Sequence, residues 1–179
     1  MGFYKYMQKS WNSEEQIQLM KERLISWRKE NTVVKLEYPT RLDRAHAVGY
    51  KAKQGFIIIR TRIKKGTRKR EKMAGGRKPK NYGMTSLPPA MSLQHIAEIR
   101  GAKHFPNLEV LNSYYVAEDG KSIWYEIIMV DPHHPCIMND PKMKWICDHH
   151  GRVYRGLTSA GKSSRGLRGS GKGFEQRML

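Results

Sequence analysis

One string in the sequence has the residue types of a nucleotide-binding loop. Residues 156–163 read GLTSAGKS and match the phosphate-loop pattern G-x-x-x-x-G-K-[ST] at every fixed position. Phosphate binding by that motif needs a hydrophobic strand before the loop and a helix after it. Residues 152–155 are not an apolar strand, and residues 164–171 are too rich in glycine for a helix. The string therefore predicts a glycine-rich, basic peptide that lies along RNA phosphates, and not an ATP or GTP site.

Thiols and imidazoles form a second group with chemical potential. Residues 131–136 read DPHHPC, and residues 147–150 read CDHH. Structural zinc sites pair their ligands as C-x2–4-C and H-x3–5-H, whereas here ten residues separate the cysteines and the histidines are adjacent. The spacing predicts no metal site, and no cofactor is predicted. We expect a proline-rich turn after a strand, with buried thiols and with histidines that face RNA or solvent.

The remaining polar residues show no pattern typical of catalysis. The carboxylates are scattered, and no Ser–His–Asp or Cys–His pairing follows from their spacing. The histidines are the residues that a nuclease would use as general acid and base. A zinc-dependent nuclease, or another basic protein that binds RNA or DNA, is the alternative to a non-catalytic RNA-binding protein. Two cysteines make no disulfide framework, which indicates a reducing cytoplasm.

The helices that would position these residues follow from periodicity. Residues 13–16 form a capping box, and apolar residues at helical spacing follow it. Longer helices are predicted at about residues 13–30 and 92–103, and shorter helical turns near 41–48 and 141–149. The residues of the first helix that are predicted to face the core are Ile17, Met20, Leu24 and Trp27.

The clearest strand covers residues 56–64, which start with four apolar residues and end with RTRIK. We expect its first half to lie in the core and its second half to leave the core as a basic ribbon. Further strands are predicted at residues 33–38, 108–117 and 122–130, with a hairpin turn at 118–120. These elements indicate an α+β fold, with a small, mostly antiparallel four-stranded sheet packed with helices.

The chain divides by composition into a body and basic extensions. Residues 1–150 are predicted to form a single α+β body, with an extended basic loop at about residues 62–91 that shows no periodicity. Residues 151–179 contain seven glycines and seven Lys or Arg, and no apolar stripe. This composition predicts an RNA-binding tail that does not pack on its own.

Positive charge is concentrated in these extensions. The 179 residues carry 34 Lys and Arg against 16 Asp and Glu, a formal net charge of +18. Residues 51–80 hold +12 of this excess and residues 151–179 hold +6, so the rest of the chain is neutral overall. Blocks this one-sided repel themselves unless a polyanion neutralises them, which predicts a nucleic-acid partner. No pure apolar run exceeds four residues, so no membrane-spanning helix is predicted.

Folded RNA suits these extensions better than DNA, because no predicted helix presents base-reading side chains to a major groove. Tyr50 is predicted to stack on a base, and a position in the core is an equal alternative for it. Arginines grip phosphates in bidentate fashion, whereas lysines act as point charges. The predicted RNA-binding residues are Arg41, Arg44, Tyr50, Lys51, Lys53, Gln54, Arg60, Arg62, Lys64, Lys65, Arg68, Lys69, Arg70, Lys72, Arg77, Lys78, Lys80, Arg152, Arg155, Thr158, Ser159, Lys162, Arg165, Arg168 and Lys172.

Short blocks, spread in order over nearly the whole chain, resemble one known family. The blocks are PTRLDRA at 39–45, GYKAKQG at 49–55, FPNL at 105–108, VLNSY at 110–114, VDPHHP at 130–135, WIC at 145–147 and RGLTSAGK at 155–162. Together they resemble the archaeal–eukaryotic large-subunit ribosomal protein of the fifteen-e family. No single block would suffice, and the match is specific because all of them occur in order.

This resemblance implies a non-enzymatic component of the cytoplasmic large ribosomal subunit. It implies large-subunit ribosomal RNA and neighbouring ribosomal proteins as partners, with no membrane and no small-molecule substrate. Family members have a small α+β body and long extensions buried in ribosomal RNA, and they are not generally zinc proteins. The chain departs from the family in two places: residues 81–91 look shortened and less basic, and the sequence stops at Leu179, earlier than in typical members.

Overall fold

A computed structural model describes residues 2–66, 75–76, 78 and 90–169. In these residues no helix is both long enough and apolar enough to span a membrane. Their helices are α1 (Phe3–Ser10), α2 (Glu14–Trp27), α3 (Leu42–Ala47), α4 (Leu93–His104), α5 (Pro135–Met138) and α6 (Ser159–Ser164), with a 3-10 turn at Lys144–Ile146. Their strands are β1 (Val33–Leu36), β2 (Phe56–Lys64), β3 (Glu109–Glu118) and β4 (Ser122–Val130).

The four strands form one antiparallel sheet in the order β1-β2-β4-β3. The two central strands, β2 and β4, pair Ile58 with Ile128 and Ile59 with Ile127. All four isoleucines are buried. Because successive side chains of a strand point to opposite faces, these apolar runs fill a core on each side of the sheet.

One face of the sheet is covered by α2 and α3. Trp27 at the end of α2 packs beside Trp124 of β4, with 6.2 Å between the ring centroids. The predicted N-cap of α2 is confirmed, since the Ser13 side chain accepts a hydrogen bond from the Gln16 N–H. The prediction that Ile17 faces the core is wrong: its side chain is 48% exposed, because only the C-terminal half of α2 is buried.

The other face is covered by α4. This helix lies close to the sheet because Gly101 has no side chain: a Cβ there would lie 2.6 Å from Ile59 Cδ1 and 3.0 Å from Ile127 Cδ1. The helix begins after Ser92, whose hydroxyl accepts a hydrogen bond from the His95 N–H. α4 also carries Glu98, a carboxylate with no exposed surface.

The predicted α+β class and the four-stranded antiparallel sheet are confirmed. The prediction for the second half of β2 is wrong. Residues 60–64 are still paired with β4, and Arg60 and Thr61 also pair with β1, so the strand does not leave the sheet as a free ribbon. Arg60, Thr61 and Ile63 are buried. The pattern does not reveal this burial, because only the folded chain brings Glu30 and Trp27 to the Arg60 guanidinium.

The start of the predicted tail belongs to the packed body. Val153 is buried in the core that α4 forms with the sheet, and Ala160 and Gly161 of α6 are buried too. The sequence predicts a tail that does not pack on its own, and residues 151–164 pack against the body. The sequence of this segment has no apolar stripe that would predict the packing, because polar contacts to Glu98 and Glu109 fix much of it.

Candidate nucleic-acid interface

Five cations surround the end of the β3–β4 hairpin, where the basic loop begins. They line one concave surface, and we call them the loop-root surface: Arg28, Arg62, Lys64, Lys65 and Lys121. The backbone joins the strand to the hairpin here, since the Lys65 N–H donates to the Lys121 carbonyl at 2.8 Å. The Arg62 guanidinium donates to the Arg28 carbonyl at 2.6 Å, which ties the end of α2 to β2.

Two carboxylates contact cations of the loop-root surface. Asp119 accepts hydrogen bonds from the Lys121 and Ser122 N–H groups at 2.7 and 2.6 Å, and Arg28 Nε lies 3.2 Å from it. Slight burial raises the pKa of Asp119, but these hydrogen bonds and the nearby cations outweigh it and lower the pKa overall. Lys65 Nζ lies 3.0 Å from Glu118. Five cations against two carboxylates leave the surface with a net charge of +3.

The GYKAKQG block places two predicted lysines on one carboxylate. Lys51 Nζ and Lys53 Nζ lie 3.1 and 2.6 Å from the same oxygen of Asp140, and Lys53 also donates to the Cys136 carbonyl at 3.0 Å. The hydrogen bond from Lys53, joined by those from the Lys142 N–H and Lys51, lowers the pKa of Asp140 strongly. One net positive charge therefore remains at this group.

Tyr50 lies in the core, the alternative that the sequence left open. Its side chain is buried and meets the Phe56 ring edge-on, with centroids 6.0 Å apart. Burial, with a smaller contribution from Tyr38, raises the pKa of the Tyr50 hydroxyl. Gln54, four residues later, is exposed. The ring therefore packs in the core, and its stacking on a base stays a prediction.

Arg60 is the most enclosed of the predicted cations in β2. Its guanidinium donates to Glu30 at 2.5 Å and lies 3.9 Å over the Trp27 ring centroid, and the residue is 7% exposed. An arginine can be buried when a carboxylate and an aromatic face replace its hydration. These contacts join the segment after α2 to the sheet.

Arg41 and Arg44 flank the start of α3. Arg41 lies 3.2 Å from Asp43 and 4.8 Å over the Trp11 ring, and its side chain is 15% exposed. Arg44, on the helix itself, is exposed. The structure therefore leaves Arg44 more accessible to a phosphate than Arg41.

Four cations of the C-terminal segment are exposed: one precedes α6, one lies on it and two follow it. We call Arg155, Lys162, Arg165 and Arg168 the C-terminal surface. Arg165 donates to the Arg155 carbonyl at 3.3 Å, and Arg168 donates to the Ser159 hydroxyl at 2.6 Å. Since a guanidinium has five N–H donors, these contacts leave donors free to meet phosphate oxygens.

Arg152 and Glu109 fix the beginning of this segment on β3. Arg152 is buried, donates to the Val110 and Leu111 carbonyls at 2.5 and 3.2 Å, and lies 4.7 Å from the Trp145 ring centroid. The Glu109 carboxylate accepts the Gly151 and Arg152 N–H groups at 2.8 and 3.3 Å. Burial lowers the pKa of Arg152, although the nearby carboxylates oppose this.

Thr158 and Glu98 fix the segment on α4. The Thr158 and Ser113 hydroxyls each donate to one oxygen of the buried Glu98 carboxylate, both at 2.5 Å. Burial raises the pKa of Glu98, and the two hydroxyl donors only partly offset the increase. Thr158, predicted to contact RNA, is itself 1% exposed, so its hydroxyl serves this internal contact.

The phosphate-loop string has a packing explanation. Its two glycines touch: a Cβ on Gly161 would lie 2.7 Å from the Gly156 Cα, and Gly156 has φ +65°. A turn, and not a strand, precedes the string, and α6 begins inside the string at Ser159 and ends one residue beyond it, at Ser164. The strand–loop–helix context of a nucleotide site is therefore not formed.

The cysteine and histidine residues do not converge. Cys136 is exposed and Cys147 is half-buried, so the expectation of buried thiols is wrong for Cys136. His134 caps α5 by accepting the Cys136 N–H on Nδ1 at 3.2 Å, while the His149 ring packs against Trp145. In the part of the chain that the structure describes, no three His, Cys, Asp or Glu residues are grouped so as to hold a metal.

The interface therefore consists of two exposed groups of cations and several internal ones. Lys78 is exposed. Arg28 and Lys121 were missed from sequence, because a helix end and a hairpin turn bring them beside β2 only in the folded chain. The predicted residues that lie outside the described ranges are Arg68, Lys69, Arg70, Lys72, Arg77, Lys80 and Lys172.

Comparison with known proteins gives a consistent result over nearly the whole chain. The family model described as "Ribosomal L15" matches residues 2–178. The large ribosomal subunit protein eL15 of Methanocella arvoryzae is 51% identical over 178 residues, covering 97% of this chain and 91% of the relative. The protein of the same name from Metallosphaera sedula is 53% identical over 167 residues, covering 92% of this chain and 77% of the relative.

These matches confirm the resemblance drawn from the sequence blocks. The alternative of a zinc-dependent nuclease has no support in the family or in the names of these relatives. At this level of identity over this length, the fold and the family are shared. The chain belongs to the ribosomal L15 family.

Proposed function

We infer that the chain is a structural constituent of the large ribosomal subunit, located in the cytoplasm and acting in translation. The observation that carries this conclusion is the family match over residues 2–178, together with relatives named as large-subunit proteins. The protein works by binding ribosomal RNA and not by catalysis, and its other partners are neighbouring ribosomal proteins.

The loop-root and C-terminal surfaces make the described part of the RNA contact. Arginine and lysine side chains there are exposed or half-exposed and carry donors that reach phosphate oxygens. By neutralising phosphates, they allow RNA helices to lie close together and release bound counterions. The basic residues of the loop and of the chain end add to this contact. Arg60, Arg152 and Thr158 support the interface from inside, because their polar groups are enclosed in the body.

The binding of a large-subunit RNA fragment as a function of salt tests this function. Affinity should fall steeply with salt, by about 10³- to 10⁵-fold between about 50 and 200 mM if six to ten phosphates are contacted. The double variant R28A/K121A should reduce the slope of log affinity against log salt by about 2, one for each lost cation. A flat salt response of the wild-type protein would contradict the proposed function.

A matched control separates a local contact from general charge. Lys142 is exposed and lies outside both surfaces. K142A removes a positive charge of the same kind, and the slope should stay that of the wild type. If K142A reduced the salt slope as much as R28A or K121A alone does, total charge and not the loop-root surface would determine RNA binding.

A further inference from the structure

An exposed tyrosine forms a ridge between two grooves on the C-terminal segment. One groove, of about 500 Å³, lies between the end of α4 and residues 150–155. The other, of about 520 Å³, lies between the start of α4 and α6. Tyr154 and Arg155 line both. Tyr154 is 56% exposed, so the ring is accessible to a ligand.

The turn that carries Tyr154 is held firmly on both sides. Arg152 and Val153 before it are buried, and so is Gly156 after it. The Tyr154 N–H donates to the Gly151 carbonyl at 3.1 Å, in a turn where Gly151 has φ +64°. A ring on such a fixed turn loses little conformational freedom when a ligand stacks on it.

The surroundings of the ring are positively charged. Arg155 lines both grooves, Lys103 lines the first and Arg165 lines the second, and all three are exposed. The carboxylate of Glu109, in the first groove, already accepts two backbone N–H groups from the turn. The ridge therefore combines an aromatic face with cations on either side, the arrangement that proteins use for unpaired nucleotides.

We propose that Tyr154 stacks on an unpaired base of ribosomal RNA, while Arg155 and its neighbours Lys103 and Arg165 bind the phosphates on either side of that nucleotide. This proposal rests on the proposed function and specifies the form of RNA that one site takes. An unpaired base is required because bases in a duplex are stacked on one another and present no free face. The cations favour RNA over an apolar protein neighbour as the occupant.

The test compares two RNAs that differ in structure and not in charge. Full-length protein is titrated with a single-stranded oligoribonucleotide carrying one 2-aminopurine, and with a blunt RNA duplex of equal phosphate number. We expect Y154A to weaken single-strand binding by about 5- to 150-fold and to abolish the 2-aminopurine quenching. Duplex affinity and the salt slope of both complexes should be unchanged, because no charge is lost.

Two variants serve as controls for the ring and for its position. Y154F keeps the aromatic face and should bind within about twofold of the wild type. Y38A removes a tyrosine that is 78% exposed but lies beside Glu37, away from the C-terminal cations, and should leave both affinities unchanged. A thermal melt of each variant shows whether the fold is retained.

Several outcomes would overturn the proposal while leaving the proposed function intact. If Y154A binds the single strand as the wild type does, no base stacks on the ring. If Y154A keeps RNA binding but fails to enter large subunits, a protein neighbour covers the tyrosine instead. If both RNAs lose affinity equally, the ring contributes to general contact and not to base stacking. Failure of the wild type to bind either RNA would contradict the proposed function itself.

Discussion

The two basic segments of this chain both carry an excess of Lys and Arg but are attached to the body in different ways. Residues 56–64 form a central strand, and pairing with β1 and β4 holds it from both sides. Residues 151–164 have no strand partner, and side chains from β3 and α4 hold them instead. Both segments bury one arginine against a tryptophan and leave the other cations outside. Charge composition therefore predicts neither burial nor attachment.

The difference matters for what can be changed without unfolding the body. A strand in the centre of a sheet is determined by many backbone contacts, and no single side chain controls it. The C-terminal segment depends on the two carboxylates of Glu98 and Glu109. The position of the C-terminal segment is accordingly more sensitive to single substitutions and to protonation than that of the central strand.

The largest effect is expected from deleting the C-terminal segment. Removal of residues 151–179 exposes the core surface that Val153 covers and leaves the buried Glu98 without its Thr158 donor. These losses together should lower the free energy of unfolding by about 5 kcal/mol, which thermal denaturation would show as a decrease in Tm of about 10–20 °C. Removal of residues 170–179 alone keeps those contacts and should leave Tm unchanged. Equal Tm values for the two deletions would show that residues 151–169 add nothing to the body.

An intermediate effect is expected from neutralising the buried arginine of the strand. R60M keeps a long side chain over Trp27 but leaves Glu30 without its partner, and should cost about 2 kcal/mol in urea unfolding. R62M, two residues along the same strand, removes only a half-exposed contact to a carbonyl and should cost less than about 0.5 kcal/mol. The interpretation of Arg60 as a structural residue fails if the two variants are equally stable.

The smallest effect concerns the pH dependence of the C-terminal attachment. Burial raises the pKa of Glu98, so the folded protein holds a proton that the unfolded chain has released. Its contribution is therefore fully present at a pH below the ordinary glutamate pKa and is lost as the pH rises through the raised value. The glutamine of E98Q does not titrate. At the low end of this window the free energy of unfolding of E98Q should differ from that of the wild type by at most about 1.5 kcal/mol.

Urea unfolding of wild type and E98Q across that window measures this effect. The advantage of the wild type over E98Q should decrease steadily as the pH rises. E118Q, at an exposed carboxylate, gives the matched comparison, and its difference from the wild type should show no such decrease. A constant difference between E98Q and wild type would mean that the Glu98 proton does not depend on folding.

Much of the fold was readable from local patterns. The α+β class, the β2 and β4 strands, the hairpin and the capped α2 and α4 helices all follow from periodicity and capping residues. The helix α1 was missed, because it has no buried residue and its pattern points to no core. The packing of the C-terminal segment was missed for a related reason: its anchors, Glu98 and Glu109, lie more than 40 residues away in sequence.

The candidate interface was predictable in location but not in detail. Clusters of Lys and Arg identify the basic loop and the C-terminal segment without any structure. Which cations are available depends on partners that only folding supplies, as Arg60 with Glu30 and Lys53 with Asp140 show. Tyr154 carries no distinguishing signal in the sequence, since exposure on a ridge is a property of the folded surface.

The attachment of the C-terminal segment has a consequence for the order of events during synthesis. Glu109 accepts the Gly151 and Arg152 N–H groups and Glu98 accepts the Thr158 hydroxyl, and a ribosome adds these residues well after both carboxylates. Until they emerge, the nascent chain has the strands and α4, but Glu109 lacks these two donors and Glu98 has only the Ser113 hydroxyl. The basic residues of the predicted loop, which precede residue 91, are thus made before the body is complete. Folding of the body is finished only after residues 151–164 have been made.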